Sequence, residues 1–340
     1  MKKKIVFSLI LILIFNFLIS IKLSAQYSYS LIVPDVEYYA TNLLSSVAAG
    51  KGNTGVASLG DVASIYLNPA ILDVSKKYQL YAGYNLKSES EEFKQNIFSF
   101  SIAGGYRINK YLQTGLAYQN DYSYSIESTM HLFENDDDEI TFETHSFRIP
   151  VVFEYKWMRV GMNINLSNYY ESTPEFTANL WKLNPEIGTM ITPIKEFSVG
   201  VSFIPGFKSD LKLESNNNYY LNNNYYADFP DRYKIGTEIR TSDNKSKISF
   251  DYHYAKISNY SYLRDYSDVH FGFEHIIDEA WAFRFGFISI QKQDYEYLYI
   301  LTMGTSFKFN NYSFNLAGLI NMYGSSSEYF VLNFGAGFEF

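Results

Sequence analysis

Apolar and polar positions alternate along most of this chain, with turn-like clusters breaking the alternation at intervals. Phe330, Leu332, Phe334, Ala336, Phe338 and Phe340 share one face of the last segment, opposed by Val331, Asn333, Gly335, Gly337 and Glu339. Trp281, Phe283, Phe285 and Phe287 repeat the pattern against Ala282, Arg284, Gly286 and Ile288. A helix has a period of 3.6 and cannot gather either set on one face, whereas a strand does so automatically. The same periodicity predicts strands near 78–86, 96–107, 111–123, 146–156, 158–170, 184–192 and 196–206, then near 231–241, 246–257, 266–276, 280–291, 297–308, 311–321 and 329–340. That makes fourteen, an even number of the kind closed bacterial barrels carry.

The connections support the same reading. Short links at RINK (107–110), KWMR (156–159), TPIKE (192–196), TSDNKS (241–246), IIDEA (276–280) and FNN (309–311) alternate with longer ones, notably 124–145 and 207–230. Outer-membrane barrels are built in this way, with short periplasmic turns and longer outside loops. The expected fold is therefore all-β and transmembrane: a 14-stranded antiparallel outer-membrane β-barrel over residues 78–340, its terminal strands ending on the periplasmic side.

Two N-terminal stretches depart from the pattern. Residues 1–25 combine Lys2, Lys3 and Lys4, an apolar run from Ile5 to Ile21, and the small residues Ser24 and Ala25 before Gln26. This is the layout of a cleaved secretory signal peptide. Residues 26–77 are not strand-like. Val36, Tyr39, Ala40, Leu43 and Leu44 recur at helical spacing after Pro34. Asp61 can cap a two-turn helix carrying Val62, Ile65 and Tyr66 on one face. Asn68 is a second cap, followed by Pro69 at the favoured first helical position. The stretch GDVASIYLNPAIL (60–72) thus reads as two short helices hinged at Asn68, within a segment placed to fold inside the barrel as a hatch.

Composition narrows the partners. Lys and Arg number 28 and Asp and Glu 36; without the four lysines of the leader the balance is 24 against 36, a net of −12. No nucleic-acid partner is expected, because phosphate binding needs clustered basic residues. There are no cysteines, hence no disulfides or thiolate metal sites. Aromatics reach 19% of the chain, Tyr foremost, as expected for lipid-facing strands with outer-membrane lipid as solvent.

The run from Ser45 to Leu72 resembles, without a gap, the N-terminal signature of the FadL/PorV/PorQ superfamily of outer-membrane β-barrels. Ala48, Gly50, Gly52, Gly55, Val56, Ala57, Asp61, Ile65, Tyr66, Asn68, Pro69, Ala70 and Leu72 carry the match. Val47, Lys51 and Gly60 depart from it, and Gly60 leaves one carboxylate where the family often has two. The resemblance implies a lumen occupied by the N-terminal segment. In FadL-like members that hatch gates hydrophobic molecules, which leave sideways through the wall. In PorV- and PorQ-like members the barrel serves type IX secretion and surface attachment. The terminal Phe340 is similar to the aromatic by which barrel-assembly machinery recognises its substrates.

Candidate chemistry lies on the lumen faces. Alternation points Lys234, Glu238, Arg240, Asp251, His253, His270, Glu274 and Arg284 inward, and opposite signs on neighbouring strands suggest paired charges. Such a wall would hold the hatch or line a polar path, and it weighs against a greasy tunnel. Gly50-Lys51-Gly52-Asn53-Thr54-Gly55 is literally G-x-G-x-x-G but lacks the βαβ unit of dinucleotide binding, so it reads as a tight turn. The five histidines are scattered and no nucleophile stands beside His253 and Asp251, so neither an enzyme nor a metal or cofactor is expected. The acidic run Asn135–Glu139 lacks the spacing of a Ca²⁺ loop and reads as a solvated rim. The Asn- and Tyr-rich 216–226 run suits protein or glycan contact or a plain rim. Short length, a charged lumen and polar loops favour a PorV/PorQ-type barrel that binds secretion-system proteins or cargo. The alternative is a FadL-like passive channel for a hydrophobic ligand such as a fatty acid or aromatic hydrocarbon.

Overall fold

The computed structural model describes residues 45–89, 96–125, 140–172, 176–211, 213–215, 225–256, 266–291, 297–323 and 329–340. The leader, the helical pattern around Val36–Leu44 and the acidic run at 135–139 lie outside these residues.

Strands β1 (Tyr78–Glu89), β2 (Asn96–Arg107), β3 (Leu112–Ser125), β4 (Ile140–Tyr155), β5 (Met158–Ser172), β6 (Phe176–Ile194) and β7 (Phe197–Ile204) each pair antiparallel with the next. Three short strands follow in the outer excursion: β8 (Phe207–Leu211), β9 (Leu213–Ser215) and β10 (Tyr225–Phe229). The wall resumes with β11 (Asp231–Arg240), β12 (Ser246–Lys256), β13 (Tyr266–Ile276), β14 (Trp281–Gln291), β15 (Tyr297–Phe309), β16 (Tyr312–Tyr323) and β17 (Tyr329–Glu339). β7 pairs with β11, and β17 returns to β1 through Gln79↔Glu339 to Glu89↔Tyr329, closing a 14-stranded antiparallel barrel. Closure removes the open sheet edges that a bilayer cannot hydrate.

The short links turn at one end. Lys156 and Asn310 take left-handed φ values of 52° in two-residue hairpin turns, which require φ > 0. The outward faces form an apolar belt, including Leu116 (56% exposed), Ile187 (51%), Met303 (55%) and Ile320 (55%). Aromatic pairs flank its turn end: Tyr78–Phe340 at 4.9 Å, Trp281–Phe307 at 4.8 Å and Tyr312–Phe338 at 4.7 Å between centroids. An exposed apolar surface this extensive is stable only against lipid, with aromatics at the interface.

Two expectations need correction. The stretch 171–183 was expected as a connection, yet β5 and β6 stay paired from Met158↔Ile191 out to Ser172↔Thr177. Trp181 and Leu183 keep the outward face, 58% and 65% exposed, while polar Lys182 and Asn184 face inward and interrupt the apolar signal. The 207–230 excursion is likewise not all loop, because β8 pairs with β10 and β9 extends the outer end of β6.

Besides irregularities between β6 and β7 at Ile191–Ile194 and between β15 and β16 at Tyr299–Ile300, the ladder lapses between β3 and β4. β3 and β4 pair from Leu112↔Phe153 to Thr114↔Val151 and again from Ala117↔Arg148, but not at Gly115–Leu116 against Ile149–Pro150. Both strands remain paired to their other neighbours there, Gly115↔Gly105 and Pro150↔Asn163. Proline brings no N–H to leave unpaired, and the Thr114 hydroxyl donates to the Pro150 carbonyl at 2.8 Å. The residues at the gap thus reduce the cost of unpaired backbone in a membrane wall.

Candidate functional site

Residues 45–74 lie inside the barrel. Helix α1 (Ser46–Gly50) is capped by the Ser45 hydroxyl and is followed by the tight Gly-rich turn. Gly50 packs on Gly304 so closely that a Cβ would lie 2.9 Å from its Cα. Gly52 has φ +67°, and a Cβ there would lie 2.5 Å from the Phe271 carbonyl, so this turn requires glycine. The Gly52 N–H donates to Thr302 Oγ1 at 2.8 Å. Gly55 and Val56 donate their N–H groups to Asp251 Oδ2 at 2.6 and 3.0 Å.

The stretch 60–72 is clasped at its base, where Gly60 N donates to the Ile71 carbonyl and Asp73 N to the Gly60 carbonyl, both at 3.2 Å. Asp61 caps Val62–Tyr66, accepting from Ser64 N at 3.0 Å and Ser64 Oγ at 2.9 Å. Burial raises the Asp61 carboxyl above its ordinary range, against these hydrogen bonds, which lower it. Asn68 caps Pro69–Ile71 through Ala70 N at 2.9 Å, and its amide donates to the Val56 and Thr189 carbonyls at 2.7 and 3.1 Å. Both turns are 3-10 rather than α-helical, and all five residues of the first are buried instead of one face. Walls close on every side, so the segment follows the space available and not an amphipathic period. Pro69 and Ala70 are buried, and a Cβ on Gly161 would lie 2.5 Å from Ala70 N.

Of the eight inward charges, Lys234, Asp251 and His270 bond the backbone of the insert. Lys234 Nζ donates to the Tyr66 carbonyl at 2.7 Å, and His270 Nδ1 lies 2.7 Å from the Gly52 carbonyl. Glu238 accepts from the Ser58 hydroxyl and pairs with Arg240 at 2.6 Å, and Arg240 reaches Ser198 Oγ at 2.9 Å. Glu274 pairs with Arg284 at 2.6 Å and with Lys247 at 2.7 Å. His253 lies 3.3 Å from Asp268. Phe340 stands at the turn end, stacked between Tyr78 and Phe338, and exchanges backbone bonds with Tyr78 at 2.8 and 3.0 Å.

The opposite wall holds the insert with residues that sequence reasoning missed. Arg107 bonds the Val74 carbonyl at 2.6 Å and Asp73 at 3.0 Å, while Arg159 bonds the Leu72 carbonyl and approaches Asp73 and Glu154 at 3.6 and 3.7 Å. Asn163 donates to the Ile65 carbonyl and to Glu186, both at 3.0 Å. The Arg148 guanidinium lies 3.8 Å over the Tyr66 ring. Alternation within β2, β4, β5 and β6 also points these side chains inward, as it points Asp268 inward beside His270.

Apolar clusters break the polar lumen, among them Ala48, Leu67, Ala70 and Ile71 against Met190. Ile288, Ile290, Leu298, Ile300, Leu319 and Val331 cluster with Ala49 on the inner face of β14–β17, in the half away from the short turns. Val62, Ile65 and Tyr66 pack with Ala117 and Val152, which bracket the lapse in the β3–β4 ladder. At the outer mouth Phe207 stacks on Phe229 at 4.2 Å, Tyr169 lies 4.6 Å from Phe229, and the Lys182 ammonium sits over the Phe207 ring. The inference from inward charges against a greasy tunnel is therefore corrected: charges line β11–β14 and β2–β6, while aliphatic side chains line the half of β14–β17 away from the short turns.

No protein-family model matches the chain, and no curated protein matches it. Solved structures do match. The monoaromatic hydrocarbon channel CymD is 12% identical, with 87% of this chain and 97% of that one covered at a TM-score of 0.68. The toluene transporter TbuX of Ralstonia pickettii is 14% identical, covering 87% and 98% at 0.67. A Pseudomonas aeruginosa FadL homologue is 10% identical, covering 92% and 100%, also at 0.67. The chain shares the fold of these barrels over nearly their whole length.

Proposed function

We propose that this chain is a passive outer-membrane channel for hydrophobic small molecules, gated by its N-terminal hatch (26–77). The observation that carries the reading is the inward-facing aliphatic patch of Ile288, Ile290, Leu298, Ile300, Leu319 and Val331. It is buried here against Ala49 of the insert, so displacement of the insert would bare an apolar wall of the kind apolar cargo needs. The ladder lapse at Gly115–Pro150 adds a sideways route into the bilayer, with Val62, Ile65 and Tyr66 behind it as the gate. The aromatic pair Phe207–Phe229 offers a first contact at the mouth. The fold neighbours are described as a monoaromatic hydrocarbon channel and a toluene transporter, which favours small aromatic or acyl cargo. These points support the channel reading over the secretion reading, which rests on short length, a charged lumen and polar loops. Export through the 1–25 leader and insertion through recognition of Phe340 by barrel-assembly machinery complete the proposal.

The test is uptake of labelled toluene and of a long-chain fatty acid by an outer-membrane host without its own channel for them. Expression should raise uptake of at least one, and Ile300→Asn with Leu319→Asn should return it to background. A gel shift between unheated and boiled protein checks that the variant still folds. Uptake no greater than with empty vector sinks the reading, and recovery of secretion components by affinity purification would favour its rival.

A further inference from the structure

The sequence carries Asp-x-His twice, at Asp251–His253 on β12 and at Asp268–His270 on β13. Antiparallel pairing sets Asp251 opposite His270 and His253 opposite Asp268. All four are buried on the lumen face, His253 at 8% exposure and Asp268 at 2%. Asp251 is engaged by Gly55 and Val56 of the insert. The other three converge: His253 Nδ1 lies 3.3 Å and His270 Nε2 2.6 Å from the same oxygen, Asp268 Oδ2. Among the described residues Asp268 Oδ1 and His253 Nε2 have no hydrogen-bond partner.

The protons in this cluster can be counted. His270 Nδ1 faces the Gly52 carbonyl at 2.7 Å, an acceptor, so that nitrogen must carry a proton. In a neutral ring Nε2 is then a bare lone pair aimed at a carboxylate oxygen 2.6 Å away. Two acceptors facing each other at that distance repel, and something positive must lie between them. A second proton would serve His270 but not Asp268 Oδ1, which has no partner among the described residues, whereas a cation held by both carboxylate oxygens would serve both.

We propose that His253, Asp268 and His270 form a binding site for a divalent first-row transition cation of the Zn²⁺ class. Ligand atoms of the three lie within 4.8 Å of one another, so side-chain shifts of about 1 Å would bring them to the roughly 3.3–3.6 Å separations of a tetrahedral ion with bonds of about 2.0–2.2 Å. Two imidazoles and a carboxylate suit Zn²⁺ and its neighbours, whereas Ca²⁺ and Mg²⁺ want oxygen alone. The bond from His270 to the Gly52 carbonyl is the outer contact that orients a metal-bound imidazole. The neighbouring charges are the Asp251 carboxylate opposite His270 and the Lys234 ammonium opposite His253, the latter bonded to the Tyr66 carbonyl. The Lys51 ammonium also acts on Asp251, so those two charges offset each other, and Asp268 supplies the negative charge that would receive a cation. A bound ion would fix the ring that holds the Gly52 turn, tying hatch to wall. The proposal stands apart from the channel reading.

The experiment uses the full chain with an affinity tag that contains no histidine, purified in detergent and stripped of metal. Zn²⁺ binding is measured by calorimetry and Co²⁺ binding by visible absorption, which reports four-coordinate nitrogen and oxygen ligation. The expected result is a single Zn²⁺ per chain and a Co²⁺ spectrum. His253→Ala and Asp268→Asn should each weaken Zn²⁺ by at least about 100-fold, the upper end for losing even an outer partner. His275→Ala, at an exposed position beside a short turn, should change nothing. His253 makes no hydrogen bond to the insert among the described residues, so its variant should keep the heat-dependent gel shift of a folded barrel. Absence of Zn²⁺ uptake by folded protein, or uptake unchanged in His253→Ala, overturns the proposal, as does uptake lost in His275→Ala.

Discussion

At an exposed helix N-terminus Asn and Asp are equivalent caps and both exceed Ala. Asn68 should break that order. Its Oδ1 accepts from Ala70 N at 2.9 Å, as any cap does, but its amide also donates to the Val56 carbonyl at 2.7 Å and the Thr189 carbonyl at 3.1 Å. The side chain is fully buried. Asn68→Ala removes all three bonds and leaves buried partners short, a loss of about 2–4 kcal/mol. Asn68→Asp keeps the cap yet turns a carboxylate oxygen toward two carbonyls with no cation bonded to it. An unpaired buried charge costs about 3–5 kcal/mol, so the order becomes Asn, then Ala, then Asp. Hydrogen–deuterium exchange of peptides spanning 55–72, in detergent, reads this directly. The Ala change should speed exchange by roughly 30- to 700-fold, at about 1.4 kcal/mol per tenfold. The Asp variant should exchange faster still at neutral pH and recover in acid, where a protonated carboxyl can donate again. Protection in Asn68→Asp equal to the parent protein's would refute the reasoning, because it would mean the amide donors hold nothing.

Three further outcomes follow from the same geometry. Gly188→Ala should unseat the Asn68 turn, since a Cβ would lie 1.9 Å from Asn68 Oδ1, and protease access to 60–72 is the readout. Arg284→Met should leave Glu274 with Lys247 alone and cost about 3–5 kcal/mol, seen as a lower temperature for loss of the folded gel form. The pH dependence of the insert should carry the mark of Asp61. Its folded-state pKa lies above the ordinary 3.8, so the insert gains stability as pH falls through that raised value, and the gain stops below 3.8. Exchange at 61–66 measured against pH should lose this component in Asp61→Asn.

How much was legible in the sequence can be judged at particular residues. Period-two alternation alone separates Phe285 from Arg284 and Phe334 from Asn333, because successive strand side chains point to opposite faces whatever the fold. Caps are equally local, so Asp61 and Asn68-Pro69 mark the two turns of the insert. Alternation gives in or out, and never the height of a residue in the wall or its cross-strand neighbour. That depends on register, which closure of the whole barrel sets. Only the tertiary structure therefore brings His253 against Asp268, sets Arg148 over the Tyr66 ring, and gathers Ile288, Ile300 and Val331 from three strands into one patch. Only it shows Pro150 beside Gly115 as a lapse in the wall, since a proline in a strand says that one N–H is missing and not which neighbour lacks it.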